Sequence, residues 1–303
     1  MAKWTAADIP DQSGRTAVIT GANSGIGLVA ARELARAGAH VVMAVRNQAK
    51  GQDAAQTIAG EVEVRQLDLA DLASVRAFAE AYQDDVHLLI NNAGVMAPPR
   101  RLTADGFESQ FGTNHLGHFA LTGLLLARLL ATDEPRVVTV SSGAHRVGRI
   151  RFDDLQGERR YQNWLWYGQS KLANLLFAFE LQRRAAEAGS GLKSLAVHPG
   201  YARTNLQFAA PPWYEQAVMK VTNLVAQSAE MGALPTLYAA TVSDLPGGSF
   251  VGPDGFMEQR GHPHLVTAAS KAYDEPVAQR LWEVSEQLTS VDYDFSAPAI
   301  ARP

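Results

Sequence analysis

The sequence predicts an α/β protein built on one doubly wound parallel sheet with helices on both faces. Three observations carry that expectation. Short apolar, β-rich runs alternate with helix-patterned runs as far as residue 197. A glycine-rich turn separates the first apolar run from the first helical one. Small or polar residues recur directly after the apolar runs, at the sheet edge where ligands of parallel sheets bind. Strand–helix–strand alternation implies parallel pairing, and right-handed crossovers then place helices on both faces.

Taken in order, Thr16 to Thr20 reads as a strand and Ile26 to Ala37 as an Ala-rich helix. Val41 to Val45 is strand-like, and Gln48 to Ile58 is helical. Val62 to Leu67 alternates apolar and polar residues, as a strand does. Leu72 to Tyr82 reads as a helix, Leu88 to Ile90 as a buried strand, and Phe111 to Leu130 as one long helix. Val137 to Val140, Gly168 to Ala188 and Leu192 to Val197 continue as strand, helix, strand. No linker or internal repeat interrupts the series, so residues 1–303 read as one domain. Residues 205–229, with Phe208, Pro211, Pro212, Trp213 and Tyr214, read as an apolar insertion or substrate lid. Ser296 to Pro303 reads as a loose tail.

Composition narrows the function. Hydrophobic residues make up 47% of the 303, enough for a sizeable core. A net charge of −4 and the lack of polybasic runs argue against nucleic-acid and electrostatic membrane partners. With no cysteine, disulfides, thiolate catalysis and Cys-ligated zinc are excluded. No apolar run reaches the ~18 residues of a membrane span, and Arg128 breaks the longest candidate, Leu121 to Leu130. Met1 to Gln12 has no apolar signal-peptide region. A cytoplasmic protein with no membrane anchor is expected. His115 and His118 have no evident third ligand, and His262-Pro263-His264 reads as a surface loop, so no metal site is expected. Arg159-Arg160 and Arg183-Arg184 read as solvated faces.

The turn Thr20-Gly21-Ala22-Asn23-Ser24-Gly25-Ile26-Gly27 follows a strand and opens a helix. Its glycines let backbone N–H groups approach a pyrophosphate at the helix N-terminus. No carboxylate ends the Val41 to Val45 strand to take a ribose 2′-hydroxyl. Arg46-Asn47 follows instead, and Arg46 suits a 2′-phosphate. NADP(H) is therefore expected ahead of NAD(H).

Tyr167 and Lys171 stand one helical turn apart on one face. A phenol titrates near 10, and a neighbouring ammonium favours its phenolate. That pairing is a route to a tyrosine general acid/base. Asp68, Asn91 to Gly94 and Ser141-Ser142 follow the third, fourth and fifth strands.

Together these elements resemble the short-chain dehydrogenase/reductase family, a Rossmann-type fold. The matching residues are Thr20 to Gly27, Asp68-Leu69, Asn91 to Gly94, Asn114, Ser141-Ser142, Tyr167 to Lys171 and His198-Pro199-Gly200. Within that family the chain is similar to the retinol-dehydrogenase-like branch, through Asn114-His115-Leu116-Gly117-His118-Phe119, Phe152-Asp153-Asp154-Leu155 and Gln169 to Asn174. The long spacing from Ser142 to Tyr167 fits the same branch. The resemblance implies a hydride exchanged between a nicotinamide cofactor and a small-molecule carbonyl or alcohol. It implies a proton donor at Tyr167 and a ribose-holding Lys171 that depresses the tyrosine pKa. It implies a substrate-oxygen partner at Ser142, with Ser141 as the alternative, and a proton-relay residue at Asn114. Cofactor contacts are implied at Gly21, Asn23, Ser24, Gly25, Ile26, Gly27, Arg46, Asn47, Asp68, Leu69, Asn91, Ala93, Gly94, Pro199, Gly200 and Thr204. Position 24 is Ser where many NADP-preferring members carry a basic residue, so that preference rests on Arg46. A non-catalytic NADP-binding or redox-sensing protein is the alternative on the same fold. Trp164, Trp166, Phe208, Trp213 and Tyr214 suggest an apolar substrate. The apolar helices at 111–130 and 168–188 suggest a homodimer or homotetramer.

Overall fold

A computed structural model of the chain describes residues 3–201 and 227–296. Its strands are β1 (Thr16–Thr20), β2 (His40–Val45), β3 (Val62–Gln66), β4 (Leu88–Asn91), β5 (Arg136–Val140), β6 (Lys193–Val197), β7 (Phe250–Pro253) and β8 (Pro263–Leu265). They form one sheet in the order β3-β2-β1-β4-β5-β6-β7-β8. β1 to β7 are parallel and β8 is antiparallel to β7. The chain winds outward from β1 through β2 to β3, then returns to β4 on the other side of β1. That reversal opens a crevice beyond the carboxyl ends of β1 and β4.

Strand periodicity divides the core between two faces. Ala17, Ile19, Val41, Met43, Leu88, Ile90, Val138 and Val197 face one side. There they pack with helices α1 (Gly25–Arg36), α2 (Gln48–Ala55) and α6 (Ala229–Thr241). Val18, Val42, Ala44, Leu89 and Val137 face the other. That side is covered by α3 (Leu72–Ala81), α4 (Gly117–Leu124), α5 (Asn163–Glu187) and α7 (Glu275–Thr289). The inner strands, buried on both faces, read as near-continuous apolar runs, whereas β3 at the sheet edge is only half-buried and alternates.

The expected long helix at 111–130 is broken. A short turn at Ser109–Phe111 leads into a π-helical turn, Gly112–Leu116, then α4, then a separate Leu126–Leu130 after a break at Leu125. Two glycines permit the irregularity. A Cβ on Gly112 would sit 2.5 Å from Thr103 Cγ2, and one on Gly117 would sit 2.4 Å from the Leu69 carbonyl oxygen. Close packing against neighbours, not helix propensity, sets this segment. α5 begins at Asn163, earlier than expected.

His262-Pro263-His264 is not a plain loop, because Pro263 and His264 start the edge strand β8. Arg183 and Arg184 are not simply solvated. Both pair with the buried Glu180 carboxylate at 2.6 and 2.7 Å, and Arg184 lies 4.4 Å over the Trp282 ring. Thr204, Phe208, Trp213 and Tyr214 lie outside the described residues, as does the expected lid except for Gln227, Ser228 and Ala229. The expected tail lies outside as well, except for Ser296. Among the described residues no helix is long and apolar enough to cross a membrane.

Candidate active site

At the end of β1 the chain turns through Gly21 (φ +66°) and Gly25 (φ +57°) into α1. Side chains are excluded here for reasons of space as well. A Cβ on Gly27 would meet Asn92 Nδ2 at 2.5 Å and the Gly21 carbonyl oxygen at 2.7 Å. Ser24 caps α1 without a side-chain hydrogen bond, so the first-turn amides of Gly25, Ile26 and Gly27 have no intrahelical acceptor. Those donors, with the helix dipole behind them, suit an anionic pyrophosphate. Asn23 and Ser24 are half-buried on the same loop.

β2 delivers the next group. Gly21 N–H donates to the Ala44 carbonyl at 2.8 Å, which fixes the glycine loop beside the end of β2. Arg46 follows two residues later, exposed and with no hydrogen bond or ion pair to any described residue. Asn47 is occupied as a helix cap, accepting from Lys50 N–H at 3.0 Å. Asp68 accepts from Ala70 N–H at 3.0 Å, and Leu69 packs its carbonyl against Gly117.

The end of β4 is held by a side chain the sequence reading left out. Asn92 Nδ2 donates to the Thr20 carbonyl at 2.8 Å. Ala93 N–H donates to Thr20 Oγ1 at 2.9 Å. Asn91, by contrast, is fully buried and donates from Nδ2 to Thr122 Oγ1 at 3.0 Å. Its side chain braces sheet to α4 rather than lining the crevice.

Tyr167, Lys171, Ser142 and Asn114 converge beyond β4 and β5. The two neighbouring serines have separate partners. Ser141 Oγ donates to the Lys171 carbonyl at 2.8 Å, whereas Ser142 Oγ accepts from Ala144 N–H at 3.2 Å and lies beside Tyr167. Lys171 Nζ is buried, donates to the Val140 carbonyl at 3.1 Å, and lies 5.8 Å from the Tyr167 ring centre. A Cβ on Gly94 would be 3.1 Å from Asn114 Oδ1 and 3.5 Å from Lys171 Nζ. The glycine therefore leaves a gap faced by both polar groups, and Lys171 still has ammonium protons to give there. This gap, the glycine cradle and the open amides of α1 fit a dinucleotide.

The sequence led to the expectation that Lys171 would lower the tyrosine pKa. In the structure burial dominates both groups. It pushes Tyr167 up to about 12, opposed only by the polar Ser142 beside it. It pulls Lys171 down to about 8. Each side chain is biased toward its uncharged form by loss of water.

Beyond β6, Gly200 (φ +65°) turns beneath Gln259, whose carbonyl oxygen would be 2.4 Å from a Cβ there. The Pro199 carbonyl accepts from Gln227 Nε2 at 2.5 Å. Glu258 joins two parts of the site, meeting Arg146 Nη2 at 3.0 Å and His198 Nε2 at 2.9 Å. Met257 and Glu258 hold this position with left-handed backbones, φ 51° and 57°. His198 is buried and its pKa falls to about 4, since desolvation outweighs the Glu258 charge. The contact is therefore an N–H donated by a neutral imidazole to a carboxylate. Trp164 stands edge-on to Tyr167, ring centres 6.2 Å apart, while Trp166 is buried against Tyr161. His115 and His118 turn to different partners, His115 to Ser285 Oγ and His118 to Thr20 and Asn114.

Comparison with known proteins places this geometry. The short chain dehydrogenase family pattern matches residues 15–215. Retinol dehydrogenase 12 of Mus musculus is 42% identical over 291 residues, covering 93% of this chain and 88% of that protein. Retinol dehydrogenase 13 of Homo sapiens is 42% identical over 292 residues, covering 92% and 86%. Among solved structures, a putative uncharacterized protein from Mycobacterium paratuberculosis is 55% identical with a TM-score of 0.85, covering 97% of this chain and 100% of that one. A putative NAD(P) dependent gluconate 5-dehydrogenase from Beutenbergia cavernae, solved with bound NADP, is 28% identical with a TM-score of 0.60 over 76% and 91%. The chain belongs to the short-chain dehydrogenase/reductase family, in its retinol-dehydrogenase-like branch, and is an NAD(P)-dependent oxidoreductase of CH–OH and C=O groups.

Proposed function

We propose that the enzyme prefers NADP(H) and exchanges hydride with an apolar aldehyde, ketone or alcohol, using Ser142, Tyr167, Lys171 and Asn114. The observation that carries this reading is Tyr167 buried beside Ser142 and a buried Lys171 with protons to spare. A bound nicotinamide supplies or accepts the hydride. Ser142 and Tyr167 then form a two-donor site for a carbonyl oxygen, stabilising charge as it develops there. Tyr167, kept protonated by burial, gives its phenolic proton to the nascent alkoxide. Lys171 and the Asn114 carbonyl provide the route by which that proton is replaced. Trp164 gives the approach an apolar wall, and the retinol dehydrogenases among the relatives point to the same substrate class. The preference for NADP(H) rests on Arg46, which stands uncommitted beside the glycine loop with no carboxylate near it at the end of β2.

A panel of retinal, decanal, benzaldehyde and cyclohexanone, each with NADPH and NADH, tests the activity. Tyr167→Phe should abolish turnover while NADPH still binds by fluorescence titration. Near wild-type turnover in that variant overturns the mechanism. Arg46→Ala should weaken NADPH binding about tenfold, the worth of one charge-assisted phosphate contact, and leave NADH unchanged. Tighter NADH than NADPH binding in the wild type sinks the cofactor preference.

A further inference from the structure

Thr20 ends β1, and its hydroxyl oxygen accepts two backbone N–H groups, from Asn92 at 3.0 Å and Ala93 at 2.9 Å. Both lone pairs are thereby filled, and one proton remains to be given. Its two acceptors in reach are His118 Nε2 at 2.9 Å and the Ile90 carbonyl at 3.4 Å. The shorter contact is the stronger, so Nε2 takes the proton's hydrogen bond and must itself be bare. A neutral imidazole then carries its hydrogen on Nδ1. His118 Nδ1 lies 2.9 Å from the Asn114 carbonyl oxygen, a group that only accepts. The chain of donors therefore has one direction, from Thr20 to His118 to Asn114. Complete burial keeps His118 neutral, with its pKa drawn down to about 4, and the Lys171 charge nearby opposes protonation further.

Asn114 has little else to offer. Its Oδ1 accepts from Val95 N–H at 2.8 Å, and its Nδ2 donates to the Val95 carbonyl and to Ser170 Oγ, both at 2.9 Å. The side chain is spent on pinning the loop after β4 to α5. Its main-chain carbonyl, in the wide Gly112–Leu116 turn, is the group left to serve a relay with Lys171.

We propose that His118 is a positioning residue for that relay: its Nδ1–H, held in that tautomer by the Thr20 hydroxyl on Nε2, aims the Asn114 carbonyl. This rests on the reading of Asn114 and Lys171 as relay partners. Neither His118 nitrogen touches the reacting atoms.

Three substitutions separate the two ends of the imidazole. Asn places an N–H where Nδ1 was, Gln places an amide where Nε2 was, and Phe keeps the ring without either. With NADPH and the aldehyde turned over fastest in the panel above, His118→Asn should stay within about threefold of wild-type kcat. His118→Gln and His118→Phe should each lose about tenfold or more, the scale of a disturbed proton transfer. KM and NADPH affinity should change little in all three, and the pH profile of kcat should move only in the Gln and Phe variants. Selective ¹⁵N-histidine labelling should show His118 as the Nδ1–H tautomer at pH 7. An Nε2–H tautomer or an imidazolium overturns the inference. So does His118→Gln at the wild-type rate, or kcat losses that track melting temperature in all three variants alike. Turnover surviving Tyr167→Phe would sink the underlying reading of the site instead.

Discussion

Lys171 shows what a buried ammonium costs a protein that needs it. Water is withdrawn from the charge, and the one hydrogen bond in the structure goes to a neutral carbonyl. The folded chain therefore releases this proton near pH 8, whereas the unfolded chain holds it to about 10.4. Between those values the unfolded state binds more protons, so stability rises with pH across that window. In denaturant titrations without added dinucleotide, Lys171→Met should flatten the rise and raise stability at pH 7, while abolishing activity. A less stable Lys171→Met protein at pH 7 would show that the ammonium is better satisfied than its contacts indicate. The sequence made Tyr167 and Lys171 legible as a pair, because their spacing is a local property. It did not reveal that burial would act against charge on both. That depends on what Val140, Ser142 and α5 enclose.

Among the elements, α6 was invisible in the sequence, and the reason is its position. It is buried over most of its surface between α1 and the sheet and contains Pro235. A helix without a polar face shows no helical period. Its C-terminal end is held by Arg136 of β5. That side chain is 2% exposed, forms no ion pair with any described carboxylate, and donates to the carbonyls of Ala239 at 3.1 Å, Val242 at 2.7 Å and Ser243 at 3.4 Å. The terminal carbonyls, which have no intrahelical donor, supply the negative end of the helix dipole. Arg136→Met fills similar volume but orphans these acceptors, and should lower stability by about 2–4 kcal/mol. Urea unfolding reads the loss. α7 is absent from the sequence expectations too, although its cap is local: Asp274 accepts from Val277 N–H, and Pro276 stands in its first turn. The π turn at Gly112–Leu116 had no local signal, since its cause lies in Thr103 and Leu69, distant along the chain.

At the scale of the whole molecule, the two helical segments whose apolarity suggested assembly are covered from within. Trp282 of α7 stacks on Phe177 with ring centres 5.9 Å apart and meets Phe119 edge-on at 5.1 Å. No large apolar side chain of residues 111–130 or 168–188 is exposed. The expected homodimer or homotetramer thus finds only half-buried apolar side chains on these two segments. Trp282→Ala should cost about 3–5 kcal/mol and promote association, seen by light scattering, as the phenylalanines lose their cover. The same dry interior makes the fold sensitive to acid. Burial holds His115 near 3, and His118 and His198 near 4, and also lowers His145. All lie below the unfolded value of about 6.5, so the stability these neutral rings confer is present above that pH. It is lost as pH falls toward 4, and a melting temperature that stays level from pH 7 to pH 4.5 would contradict their burial.

The stapling of Gln227 beside Tyr201 has a consequence for how this enzyme can be varied. Gln227 N–H donates to the Tyr201 carbonyl at 2.9 Å, Tyr201 N–H to the Gln259 carbonyl at 2.7 Å, and Gly261 N–H to Gln227 Oε1 at 3.2 Å. The chain thus departs at residue 201 and re-enters at residue 227 through one doorway, framed by partners that belong to neither end. Closing a loop of different length between such fixed posts changes the closure entropy only logarithmically. Lengthening the chain between these posts by a few glycine and serine residues should therefore cost well under about 1 kcal/mol through loop closure, as read by calorimetry. The posts at Tyr201 and Gln227, rather than the length of chain between them, fix where that chain leaves and rejoins the frame.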